Sequence, residues 1–170
     1  MSCKTSNSDQ CSTCPNGWQS FTIDSKLQCL KFIGKVSYSA AESTCKANGG
    51  KLPLPVNSNE NSDFEDAFSK IAPWETWITL GLSDVKTEGK WVDRNDQPLS
   101  YTNWAPGRPA AVGSQIGSHS THTWDYASMY VQVNKGWKNK KGWASGTWSD
   151  YFSHWVGPTV CQLTCAAGKF

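Results

Sequence analysis

Seven cysteines are spread from Cys3 to Cys165 in a chain of 170 residues. Because they are not gathered in paired Cys-x-x-Cys knuckles, they favour an oxidised framework over a metal site. A framework of that kind needs a compartment in which disulfides persist, so the chain is expected to be secreted or to face the outside of the cell. The odd count leaves one thiol over, free or joined to another chain. The single close pair, "CSTC" at 11–14, could be a redox motif, but such a motif wants a strand-to-helix setting and here Pro15-Asn16-Gly17 follows, so separate structural disulfides are expected. The length suits one domain with a core of its own. No apolar run approaches ~18 residues, which leaves no membrane span, and the start "MSCKTSNSDQ" lacks the apolar core of a signal peptide, so Met1 is read as opening a mature form. No Asn-x-Ser/Thr sequon occurs.

Sixteen Lys and Arg against fourteen Asp and Glu leave a formal charge of +2, too balanced to argue for nucleic acid. Ten tryptophans, fourteen glycines and only 18% charged residues describe a loop-rich, aromatic-rich globular chain. After a polar arm over 1–13, "GWQSFTIDSKLQCLKF" reads as a hairpin turning at Asp24-Ser25. "SYSAAESTCKANGG" reads as a helix, with Ser39 and Glu42 as a capping box and Gly49-Gly50 as its stop. In "NSNENSDFEDAFSKIAP", Phe64, Ala67, Phe68 and Ile71 form the apolar face of a second helix that Pro73 ends. From Trp77 onward the short apolar runs "WITLGL", "GKWVD", "DYASMYVQV" and "PTVCQLTC" read as strands joined by long loops. Helices early and strands late, without βαβ alternation, predict an α+β domain with an antiparallel sheet.

Two connections are too long for turns: 110–123, without periodicity, and 134–146, with Lys135, Lys138, Lys140 and Lys141 interleaved with Trp137 and Trp143. The lysines are either a solvated hairpin tip or a patch for an anionic glycan or acidic protein surface. Trp124, Trp137 and Trp143 are the candidates for exposure. The loop "NWAPGRPAAVG" has a backbone fixed by Pro106, Gly107 and Pro109 but offers Arg108, Ala110 and Ala111 where a cation clamp would offer oxygens. His119 and His122 with Asp125 have a zinc-like spacing but no fourth ligand, and no Gly-x-Ser-x-Gly elbow occurs, so neither zinc nor catalysis is expected.

The landmarks "CPNGWQSF", "YSAAESTCKANGGKL", "WITLGLSD", "TEGKWVDRNDQPLSYTNWAPG", "TWSD" and "PTVCQ", in that order, make residues 14–165 resemble a C-type lectin-like domain, followed by a tail over 166–170. The resemblance implies a double-looped α+β fold, two helices and antiparallel strands, with an enlarged long-loop region carrying the ligand site. It implies disulfides Cys14–Cys29 and Cys45–Cys161, with Cys165 left for Cys3 or Cys11. The family's third pair matches Tyr126 and Ser153. Trp18, Trp77, Trp91 and Trp104 fall on family core positions. The Glu-Pro-Asn or Gln-Pro-Asp triplet that binds calcium and sugar in the family matches Arg108-Pro109-Ala110. The acidic residue before the next strand matches Trp124, and Trp-Asn-Asp matches Trp148-Ser149-Asp150. With Asp150 alone retained, the principal calcium position is expected to be empty. Asp84, Glu88 and Asp125 match acidic ligands of an auxiliary calcium position, which either binds weakly or only shapes a turn.

The resemblance thus implies a secreted, non-catalytic module that recognises a glycan or protein without calcium at the principal site, through Arg108, Trp124, Trp137, Lys138, Trp143, Trp148 and Asp150. The alternatives are ice binding or a structural matrix role on the same fold, the latter through an intermolecular disulfide.

Overall fold

The computed structural model describes residues 13–110, 124–132 and 143–163. The elements run β1 (Gln19–Ile23), β2 (Lys26–Val36), α1 (Tyr38–Ala47), β3 (Gly50–Lys51), α2 (Ser58–Ile71), β4 (Trp77–Ser83), β5 (Val92–Asp93), β6 (Tyr126–Tyr130), β7 (Trp148–Tyr151) and β8 (Gly157–Leu163). This is the expected α+β arrangement, in two four-stranded sheets ordered β1-β2-β8-β3 and β5-β4-β6-β7. Every named strand pairing is antiparallel.

The first hairpin turns at Asp24 and Ser25, whose φ values of 47° and 62° are those of the tight turn that matches strand twist. Asp63 of α2 accepts a hydrogen bond from the Asp24 N–H at 2.7 Å, which ties the hairpin to the helix. β8 lies between β2 and β3, so the end of the chain is locked into the base of the fold. Cys45 of α1 is bonded to Cys161 of β8, and Cys14 to Cys29 of β2. The pairing of Cys3, Cys11 and Cys165, like Trp137, Lys138, His119, His122 and the four loop lysines, lies outside the described residues.

Helix α1 corrects one expectation. Its cap is Ser37, whose hydroxyl accepts from the Ala40 N–H, and Ser39 lies inside the first turn. The better box stands on α2, where Asn57 Oδ1 accepts from the Glu60 N–H at 2.8 Å and the Glu60 carboxylate reaches back to the Val56 N–H at 3.1 Å. The α2 face is as periodicity predicts: Phe64, Ala67, Phe68 and Ile71 are buried with Ile78, Leu80, Leu82, Met129 and Val160 in the main core. Among the described residues no helix is long and apolar enough to cross a membrane.

Candidate functional site

The site is assembled where residues 103–110 run beside β7. The Trp148 N–H donates to the Asn103 carbonyl and the Ala105 N–H to the Trp148 carbonyl, both at 2.8 Å. Residues 105–108 then close a turn, with the Arg108 N–H on the Ala105 carbonyl at 2.9 Å and Gly107 at φ 75°, a value a side chain would resist. The Arg108–Pro109 peptide is cis. These bonds set Arg108 against Asp150, two residues past Trp148.

The register of β7 is fixed from below. Trp148 is fully buried, and its Nε1 donates to Asn61 Oδ1 of α2 at 2.7 Å. Asn61 and Asn103 both donate to the Gly146 carbonyl, at 3.0 and 2.8 Å. An expected ligand residue, Trp148 is therefore a core anchor whose indole is satisfied inside the protein.

Arg108 Nη1 donates to Asp150 Oδ1 at 2.9 Å, and the Ala110 N–H donates to Oδ2 at 2.8 Å. Asp150 has no exposed side-chain surface and Arg108 only 16%. The guanidinium carbon sits 4.5 Å from the Trp124 ring centre and 5.2 Å from that of Trp143, a cation held between two aromatic faces. Among the described residues Nη1 alone of the guanidinium fork has a hydrogen-bond partner, which leaves donors for a ligand. Trp124 Nε1 is buried without a partner.

Around this pair lies a cavity of about 290 Å³ walled by Trp77, Trp124, Tyr130, Trp143, Tyr151 and Phe152. Trp155, 48% exposed, stands at its edge and packs on Phe152. Burial pushes the Tyr130 and Tyr151 phenols up, so both stay neutral at any physiological pH. Trp143, a candidate for exposure, is instead buried at 7%: it stacks on Tyr130 and its Nε1 donates to the Pro106 carbonyl at 3.2 Å. Phe152 and Trp155 were not singled out by the sequence; their only signal is the aromatic run that follows Asp150.

Of the auxiliary acidic residues, Asp84 and Glu88 lie past the end of β4 and Asp125 just before β6. Asp84 is buried, and its Oδ2 accepts the Gly89 N–H at 2.9 Å while Oδ1 has no partner. Burial first, then the charges of Glu88 and Asp125, push its carboxyl up to about 6 despite the Gly89 bond. Asp125 Oδ2 accepts the Ser153 hydroxyl at 2.6 Å. No group of three or more His, Cys, Asp or Glu able to hold a metal ion occurs among the described residues. The position of the absent third disulfide is filled on one side by Tyr126, stacked on Tyr38 at 3.9 Å, and on the other by that Ser153 bond.

Comparison with known proteins extends over most of this framework. Residues 34–163 match the family model described as the lectin C-type domain. A tetranectin-like protein of Carcharhinus perezii is 38% identical over 78 residues, 45% of this chain and 46% of that protein, so the chain spans about half the length of this relative. A perlucin-like protein of Mytilus galloprovincialis is 33% identical over 109 residues, 62% of this chain and 67% of its own length. The cow carbohydrate-recognition domain of CD23, solved in the presence of a GlcNAc2Man3 oligosaccharide, superposes with a TM-score of 0.62 at 26% identity, covering 92% of this chain and 100% of that one.

Proposed function

The chain belongs to the C-type lectin domain family, and from that membership we propose that it is a secreted, non-catalytic binding module that takes a glycan at the Arg108 pocket without calcium. The Arg108–Asp150 pair carries the reading. A calcium ion at this position needs several hard oxygens, and here both Asp150 oxygens already hold donors while a fixed positive charge stands beside them. The residues do not fit the ion: Arg108 supplies from within the charge that a cation would have brought.

What remains is a concave, aromatic wall with the Arg108 guanidinium as a hydrogen-bond donor, suited to the C–H faces and oxygens of a sugar. The CD23 domain, solved with an oligosaccharide present, supports a glycan ligand. The two disulfides support an extracellular setting. A glycan array probed with calcium and again with chelator tests the proposal. Equal binding in both arms, lost in Trp124→Ala, is expected; binding that needs calcium, or no glycan bound at all, overturns it.

A further inference from the structure

A second cavity, of about 570 Å³, lies where α1, β3 and the turn after β5 meet, and it shares no lining residue with the Arg108 pocket. Its wall is of the opposite character. Leu52 is the single apolar side chain in it, and Ser39, Ser43 and Asn95 bring hydroxyl and amide groups.

Three cations, Lys46, Lys51 and Arg94, face one carboxylate, Glu42. None of the three forms a salt bridge among the described residues. Arg94 is held in place by donating Nη1 to the Leu52 carbonyl at 3.1 Å. Lys51 is half-buried; burial first and then the Arg94 charge push its amine below the ordinary lysine range, against the weaker opposite pull of Glu60 and Asp93. Burial likewise pushes Arg94 down, against the opposite pull of Asp93, Tyr38 and Glu42. Within the lining, three cations face one carboxylate and none is paired within salt-bridge distance among the described residues, while Asp93 and Glu60 beyond the lining offset part of that positive excess.

We propose that this cavity binds a dianionic phosphate group, free or as the monoester of a polar molecule, with Lys51 and Arg94 as its counter-charges. A phosphate dianion brings counter-charge to two cations that have no salt-bridge partner among the described residues, accepts from the ammonium and the guanidinium fork together, and leaves oxygens for Ser39 and Ser43. The volume exceeds what one phosphate fills, so a polar body fits beside Asn95, and the lack of apolar wall disfavours a hydrophobic one. The assignment stands whatever the Arg108 pocket takes.

The test is a backbone-amide NMR titration of the full chain at low salt and pH 7.5, with inorganic phosphate, glucose 6-phosphate and glucose as probes. Saturating shifts at Ser43, Lys51 and Asn95 with either phosphate probe and none with glucose are expected. A tighter ester assigns a phosphorylated ligand and equal affinities assign the free ion; both support the site. Lys51→Gln, checked for an unchanged Tm, should weaken binding at least ten-fold, and Arg94→Lys, which keeps the charge and loses the fork, by less. Shifts that do not saturate, that persist unchanged in Lys51→Gln, or that centre on Arg108 overturn the proposal.

Discussion

At the scale of single residues, two buried carboxylates meet opposite fates. Asp150 has a guanidinium and a backbone N–H, one on each oxygen. Removing one partner of a buried pair leaves an uncompensated charge, which costs ~3–5 kcal/mol. Arg108→Ala should therefore destabilise the domain by about that much in denaturant unfolding, whereas Arg108→Met with Asp150→Asn, which removes both charges, should cost clearly less. Asp84 has one oxygen bonded and one orphaned, with its carboxyl pushed up to about 6. A group raised in the fold stabilises below its unfolded value of ~3.9, and that stability is lost as pH rises through the folded value. Wild-type Tm should accordingly fall between pH 5 and pH 8 more than that of Asp84→Asn. Calcium added at pH 8 distinguishes a working auxiliary site: it raises Tm in the wild type and not in the variant only if Asp84 holds the ion.

At the scale of elements, the Cys45–Cys161 bond joins positions 116 residues apart, both fully buried. Closing a loop of that length is worth ~4–5 kcal/mol in the chain-entropy model, so Cys45→Ser should lower Tm by ~10 °C or more in calorimetry. The caps make a finer comparison: Ser37→Ala should cost ~1 kcal/mol and Ser39→Ala little. Here the limits of sequence reading have physical causes. The α2 face and the hairpin at Asp24-Ser25 were legible because periodicity and turn chemistry act over a few neighbours. Ser39 drew attention by its spacing to Glu42, yet two serines, Ser37 and Ser39, competed for one cap, and only the backbone geometry of the entering chain decides between them. Strand β7 was missed as an element because four residues carry too little pattern; its hold comes from Asn61, eighty-seven positions away from Trp148. At the site, Arg108 and Asp150 were legible from the family motif, in which Arg108 replaces an oxygen donor and Asp150 is retained. That they bond each other, and that Trp143 is packed rather than presented, depends on pairings 42 and 37 residues apart that no local pattern encodes.

At the scale of the whole molecule, both long connections begin or end on one pocket. Ala110, where the first departs, donates its N–H to Asp150; Trp124, where the chain returns, faces the Arg108 guanidinium; and Trp143, near the end of the second, faces it from another side. The aromatic wall is therefore at once the footing of the loops and the proposed ligand surface, and its rings divide by what they hold. Trp143 is buried, stacked on Tyr130 and bonded to Pro106, so Trp143→Ala should remove packing and lower stability by ~3–5 kcal/mol. Trp155 is half exposed, with its ring against those of Phe152 and His154, and it stands where a ligand would close on the cavity. Trp155→Ala should weaken binding of a glycan found on the array by roughly 5- to 150-fold, the ~1–3 kcal/mol of an interface ring, with Tm shifted by no more than a few degrees. Titration calorimetry on both variants is the measurement that checks this division. A Trp155→Ala protein that binds as the wild type does would move the ligand off this face of the pocket.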